Sequence, residues 1–306
     1  MVAADFLPFL TRVAEDVEAG LVRLLQEVEA GGAPQRLVAA MRYAVLGGGK
    51  RLRPFLLIET ARLLGAGGEG VLRSACGLEC LHVYSLVHDD LPAMDNDALR
   101  RGKPTVHLAY DEATAILVGD TLQTLAFEAQ VDPRCHEDPR VRADLALCLA
   151  RASGASGMAG GQLLDLAAEG RFEGSTRQLL DADAIRRLQA MKTGALLAAA
   201  VEMGAILGGA DSTNRALLRR FGDLLGAAFQ IADDILDVEA SPEALGKATG
   251  KDAGLGKGTL VDLLGLQAAR AERDRLAAAA VATLEPFGGA ASVLADAARF
   301  AAQRRN

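Results

Sequence analysis

Apolar residues recur at a spacing near 3.6 along almost the whole chain, interrupted only by short runs of Gly, Pro and Asp. That period puts one apolar stripe on a helix and leaves little else for the chain to build. The periodic stretches cover roughly 5–30, 35–46, 54–64, 71–91, 111–130, 140–167, 183–208, 213–237, 259–280 and 290–303. No segment shows the sustained alternation and turn chemistry of a sheet. Loops are predicted at 131–139, 169–176 and 239–258, the last rich in Gly and Lys. No linker separates two cores and no repeat is present, so residues 1–306 are expected to form one all-α domain.

Composition fits this reading. Half of the 306 residues are apolar, aromatics are 4% and Trp is absent. The core must therefore be built from Leu, Ala, Val and Ile, and the Ala and Leu among them are strong helix formers. A net charge of −7 repels nucleic-acid backbones, so no nucleic-acid partner is expected. Cys76, Cys80, Cys135 and Cys148 read as buried free thiols of a reducing compartment. The first twenty residues hold Asp5, Glu15, Asp16 and Glu18 without a basic start or a continuous apolar core, unlike a signal peptide. The longest apolar run, Ala195 to Ala210, is interrupted by Glu202 and reads as too short and polar to span a bilayer. A cytoplasmic protein without stable membrane insertion is the expectation.

Two aspartate clusters carry the functional argument. The first, His88-Asp89-Asp90-Leu91-Pro92-Ala93-Met94-Asp95-Asn96-Asp97, follows an apolar helix. The second, Gln230-Ile231-Ala232-Asp233-Asp234-Ile235-Leu236-Asp237, ends another. At about 100° per residue, Asp233 and Asp237 lie about 40° apart on one helix face. Asp89 and Asp95 would lie about 240° apart on a continuous helix. Pro92 is expected to end or bend that helix near Leu91 and swing Asp95 back beside Asp89. Packed carboxylates repel one another and raise each other's pKa unless a counter-charge is supplied. Mg²⁺, which takes a few carboxylates, waters and substrate phosphates, suits them, with Mn²⁺ as the alternative ion. Facing clusters would hold a diphosphate through bridging metal.

Basic groups lie nearby in sequence. Gly47-Gly48-Gly49-Lys50-Arg51-Leu52-Arg53-Pro54 places three cations after a glycine turn, and Arg100-Arg101-Gly102-Lys103 follows the first Asp cluster. Arg forks suit phosphate oxygens and Lys serves as a point charge. The first run is not a P-loop, because no Ser or Thr follows Lys50. Lys192-Thr193-Gly194 lies in an apolar helix, where a Lys needs a partner. Lys247, Lys251 and Lys257 fall on the 239–258 segment, a candidate lid.

Taken in order, Gly48 to Pro54, Asp89-Asp90-(four residues)-Asp95, Arg100-Arg101-Gly102, Gly161-Gln162-(two)-Asp165, Lys192-Thr193-Gly194, Phe229-Gln230-(two)-Asp233-Asp234-(two)-Asp237 and lysines 247 and 257 span about 210 residues. The combination resembles the trans-prenyltransferase (polyprenyl diphosphate synthase) family, and within it the bacterial farnesyl diphosphate synthase branch. The resemblance implies long, mostly antiparallel helices around a central cavity, the isoprenoid synthase type, usually as a homodimer. It implies Asp89, Asp90, Asp95, Asp233, Asp234 and Asp237 as the metal set. It places Arg100, Lys192, Thr193, Gln230, Lys247 and Lys257 on the allylic diphosphate. Lys50, Arg53, His82 and Arg101 would bind isopentenyl diphosphate. Thr193 and Gln230 would line the reacting centre, Gln162 would help steady the carbocation, and Asp165 would orient Lys192.

The implied reaction is head-to-tail condensation of dimethylallyl or geranyl diphosphate with isopentenyl diphosphate, giving mainly farnesyl diphosphate. The proton would leave to the departed diphosphate. Asn96-Asp97-Ala98 replaces a more acidic run of close relatives, and Lys247 to Asp252 differs in detail. Ser85 lies four residues before Asp89 and Tyr84 five, about 7.5 Å along the helix. An aromatic there resembles the farnesyl producers, so Tyr84, with Ser85, is expected to floor the prenyl cavity. The alternatives are a geranylgeranyl diphosphate synthase, a class I terpene cyclase and an inactive subunit. The second Asp cluster with Lys50 to Arg53 weighs against the cyclase, and the presence of both Asp clusters weighs against the inactive subunit.

Overall fold

Every long apolar stripe in the sequence is a helix in the computed structural model, which describes residues 2–172, 174, 176, 179–239 and 259–303. The helices are α1 (Val2–Ala30), α2 (Gln35–Val45), α3 (Leu52–Leu63), α4 (Glu69–Asp89), α5 (Val106–Ala109), α6 (Glu112–Val131), α7 (Pro139–Ser153), α8 (Met158–Ala168), α9 (Ala182–Gln189), α10 (Ala195–Leu207), α11 (Ser212–Glu239), α12 (Leu260–Leu264), α13 (Leu266–Thr283) and α14 (Ser292–Gln303). A π-helical segment, Ala190–Gly194, joins α9 to α10, and a 3₁₀ segment, Glu285–Ala291, precedes α14. The all-α expectation holds.

Two predicted helices are divided, and a third changes its hydrogen-bond register. The stretch at 140–167 breaks between α7 and α8, where Gly154 and Gly157 weaken the helix. That at 259–280 breaks at Gly265, whose φ of 79° lies in the left-handed region. That at 183–208 continues, but through the π segment. One small hairpin was not foreseen. Leu99–Arg100 pairs with Lys103–Pro104, and its two-residue turn holds Arg101 at φ 52° and Gly102 at φ 77°. Positive φ at both central residues is the type I′ signature, and it fixes where Arg100 and Arg101 point.

The contacts gather into two compact units. One comprises Leu7–Leu149 with Met203–Ala210. Here α4 lies between α6 and α3. Gly77 lets α4 approach α6, since a Cβ there would lie 2.8 Å from the Ala129 Cβ. The same contact carries a buried polar pair, with Ser74 Oγ donating to Gln130 Oε1 at 2.6 Å and Gln130 Nε2 to the Ser74 carbonyl at 3.0 Å. The other unit comprises Met1–Phe6, Ala150–Glu202 and Asp211–Asn306. Its centre is α11, packed on α13, α14 and the π segment.

All four cysteines are free and buried. Burial pushes the Cys76 thiol up to about 12 and Cys135 to about 11. The continuous helix Ala182–Leu207 is longer than the apolar run read from sequence and is long and apolar enough to cross a membrane. Its most apolar window is 67% buried inside the protein, as a core helix would be. Glu202 within it is bonded to Arg215 and Arg219.

Candidate active site

The end of α4 behaves as Pro92 requires. The helix stops at Asp89, and the chain turns back so that the Asp95 N–H donates to the Asp89 carbonyl at 2.8 Å. Asn96, at φ 53°, completes the turn with its N–H on the Leu91 carbonyl at 3.1 Å. Asp89 and Asp95 are half-buried neighbours, whereas Asp90 is turned inward and buried. Arg100, aimed by the hairpin, donates from Nε to Asp90 Oδ1 at 3.0 Å, with Nη2 bridging to the same oxygen. Burial raises the Asp90 carboxyl above its usual range, and the Arg100 bonds oppose that.

Beside this turn lies a pocket of positive charge. Lys50 is exposed, and the three cations of its run divide by role. Arg51, at φ 49°, is buried in an ion-pair network with Glu79 at 2.6 Å and Glu18 at 2.7 Å. It serves the fold. Arg53 instead faces His82, with Nη1 3.3 Å from His82 Nε2. Arg101 donates from Nη1 to the Gly48 carbonyl. It crowds Gly49 so closely that a Cβ there would lie 2.7 Å from the Arg101 Cζ. Gly49 has φ 131°, so only glycine suits both its backbone and this approach. A cavity of about 40 Å³, lined by Gly47, Asp90, Arg100, Arg101 and Thr105 among others, joins the glycine turn to the Asp90–Arg100 pair.

Electrostatics show what this pocket lacks. Burial and then the Arg101 charge lower Arg53 to about 10, with Glu79 opposing them. Burial, then Arg53, Arg101, Arg51 and Arg100, hold His82 well below its usual value. Arg53 Nε is buried and has no hydrogen-bond partner among the described residues. Glu79, a carboxylate that favours the Arg53 charge, is already bonded to Arg51. A buried donor left unmade costs about 1–3 kcal/mol. An oxyanion would satisfy the donor and the charge together.

The other site residues belong to the second unit. Gly161 of α8 lets the π segment approach, since a Cβ there would lie 2.2 Å from the Lys192 nitrogen. Lys192 Nζ bonds Asp165 Oδ2 at 2.6 Å, which is the partner its sequence context called for. Thr193 and Gln162 are half-buried. On α11, Asp233 is half-buried and Asp237, one turn on, is exposed. Asp234 is buried and receives Gln230 Nε2 at 3.1 Å and Gln189 Nε2 at 2.8 Å. Gln189 was not foreseen, because its partner lies forty-five residues away. Lys247, Lys251 and Lys257 fall outside the described residues.

Among the described residues no three His, Cys, Asp or Glu side chains converge on one point. Mg²⁺ does not demand that, since one or two carboxylates plus substrate phosphate oxygens and water complete its shell. Asp89 with Asp95, and Asp233 with Asp237, fit that requirement. Asp90 and Asp234 are engaged by other side chains.

Tyr84 is buried and meets the His88 ring edge-on at 5.5 Å. His88 Nε2 lies 3.0 Å from the Ile116 carbonyl, and Gly119 leaves the imidazole its space. Ser85 Oγ donates to the His82 carbonyl at 2.7 Å, within α4.

The family model for polyprenyl synthetase matches residues 34–285. The chain belongs to the polyprenyl synthetase family. Farnesyl diphosphate synthase of Escherichia coli K12 is 45% identical over 269 residues, covering 87% of each protein. The chloroplastic geranylgeranyl pyrophosphate synthase of Capsicum annuum is 42% identical over 83% of this chain and 67% of its own. Among solved structures, an apo FPP/GFPP synthase from Zymomonas mobilis aligns with a TM-score of 0.85 at 44% identity, covering 98% of this chain and 99% of that one. Family and fold thus agree with the motifs that carried the resemblance.

Proposed function

We propose that the protein is a Mg²⁺-dependent prenyl diphosphate synthase that adds isopentenyl diphosphate to dimethylallyl and geranyl diphosphate and stops at farnesyl diphosphate. The observation that carries this reading is Arg53, which pairs with His82 and with no carboxylate among the described residues, in a cationic pocket beside the aspartates that end α4. Likeness to farnesyl diphosphate synthases supports the product.

Arg53, Arg101, neutral His82 and Lys50 bind the isopentenyl diphosphate as a bare anion. Asp89, Asp95, Asp233 and Asp237 supply oxygen ligands for Mg²⁺, which neutralises charge on the leaving allylic diphosphate when bound. Arg100 and Lys192 add fixed positive charge toward that group, each held by its own carboxylate. Thr193, Gln230 and Gln162 line the cationic centre, and Tyr84 limits chain growth. A homodimer and a cytoplasmic location go with this reading.

The two diphosphates are distinguished by metal dependence. Isothermal titration should show isopentenyl diphosphate binding in EDTA, since its cations are arginines. The thioether analogue of geranyl diphosphate should bind tightly only with Mg²⁺. Failure of isopentenyl diphosphate to bind without metal would overturn the assignment of the arginine pocket.

A further inference from the structure

Asp234 accepts hydrogen bonds from two glutamines on different elements and lies near a backbone N–H of a third. Gln189 Nε2 reaches Oδ2 at 2.8 Å and Gln230 Nε2 reaches Oδ1 at 3.1 Å. The backbone N–H of Leu260 lies close enough to this carboxylate to oppose the rise that burial causes in its pKa. Gln189 is the last residue of α9, next to the π segment that holds Lys192 and Thr193. Gln230 lies one turn before Asp234 on α11, and Leu260 opens α12. A carboxylate only accepts, so both glutamines must present their NH₂ groups to it. Their carbonyl oxygens then face away from it. An ionised carboxylate has about four lone-pair sites; the glutamines occupy one on each oxygen, and the group is only 6% exposed. Its neighbour Asp233 is half-buried and Asp237 is exposed.

We propose that Gln189 is a positioning residue for prenyl transfer, acting through Asp234, which joins the π segment, Gln230 and the start of α12 and does not itself ligate the metal. The inference rests on the reading of this site as a prenyl diphosphate synthase. The division of labour is physical. Asp237 is exposed and Asp233 half-buried, while Asp234 is buried and spends its oxygens on N–H groups that must keep their places. The neutral Gln189 amide satisfies Oδ2 without the charge that a Lys or Arg would bring beside the metal-binding carboxylates. Losing that donor frees one carboxylate oxygen, so Asp234 can rotate, Gln230 loses a fixed acceptor and Leu260 a fixed neighbour. π segments inside helices recur at functional sites, and here the segment's N-terminal flank is the residue that grips Asp234.

The test uses the full chain and the variants Gln189→Leu, Gln189→Glu, Asp234→Asn and Asp233→Asn, each checked for folding by its thermal transition. Gln189→Leu removes the donor, and Gln189→Glu keeps the shape while facing an acceptor with an acceptor. Both should lower kcat by about 10- to 150-fold, the range for losing a hydrogen bond to a charged group, and leave KM for isopentenyl diphosphate unchanged. Combining Gln189→Leu with Asp234→Asn should cost little more than the worse single change, as for residues in one network. The readout independent of activity is amide hydrogen exchange at Leu260 without metal or substrate, which should quicken in Gln189→Leu and in Asp234→Asn but not in Asp233→Asn. Unchanged Leu260 exchange in Gln189→Leu, or additive effects on kcat, would overturn the proposal. So would an Asp234→Asn variant that raises the Mg²⁺ requirement as much as Asp233→Asn does. A wild-type protein that performs no condensation would overturn the reading of the site, which the exchange experiment does not depend on.

Discussion

Replacing Arg53 by Met should weaken isopentenyl diphosphate binding and at the same time leave the unliganded protein no less stable. Among the described residues Arg53 Nε is buried without a partner, and its Nη1 lies 3.3 Å from a neutral imidazole. In the free protein that arrangement costs about 1–3 kcal/mol for the unmade bond, and Met fills similar space without it. The melting temperature should hold or rise, by at most about 2–4 °C for each kcal/mol in a chain this long. In the complex, a hydrogen bond from a charged donor is worth about 1.5–3 kcal/mol, so Kd should rise about 10- to 150-fold. Isothermal titration with isopentenyl diphosphate in EDTA reads the affinity, and calorimetric melting reads the stability. Arg53 is also the largest charge depressing His82, so nuclear magnetic resonance should find the His82 pKa higher in the variant. Unchanged affinity together with a clear loss of stability would refute the reasoning, because Arg53 would then be a structural cation like Arg51.

Two more predictions follow from named contacts. Tyr84→Ala should extend the product series beyond fifteen carbons and lower stability by about 3–5 kcal/mol, as for other buried aromatics; a variant that still stops at farnesyl diphosphate would remove Tyr84 as the floor. His82 is neutral in the folded protein because burial and Arg53 lower its pKa, whereas an unfolded His titrates near 6.5. Below about pH 6.5 the unfolded chain therefore binds more protons, and stability should fall with decreasing pH by up to about 1.4 kcal/mol per unit. His82→Gln should flatten that slope in denaturant titrations at a series of pH values.

Much of the architecture was legible because helices are local. The apolar period located the long helices, and Pro92 announced the turn that returns Asp95 to Asp89, since proline lacks an N–H and disfavours helical backbone in the residue before it. Lys192 in an apolar run demanded a partner, and Asp165 is there. What escaped the sequence depends on burial and on distant pairings. Arg51 and Arg53 are chemically alike and two residues apart, yet one closes an ion-pair network with Glu79 and Glu18 while the other faces His82 and, among the described residues, no carboxylate. Asp89 and Asp90, or Asp233 and Asp234, cannot be ranked from a string of letters. Successive residues on a helix face different ways, and only the packing decides which one turns inward to Arg100 or to Gln189. The π segment is a change of hydrogen-bond register with no residue type of its own. The breaks at Gly154, Gly157 and Gly265 did carry a signal, but the apolar stripe continued across them.

The most direct measurement of the central claim is product analysis by mass spectrometry after incubating the purified protein with Mg²⁺, isopentenyl diphosphate and dimethylallyl diphosphate. The account predicts geranyl diphosphate as an intermediate, farnesyl diphosphate as the end of the series, and no product in EDTA. A folded protein that binds Mg²⁺ and both substrates but joins none of them would contradict it.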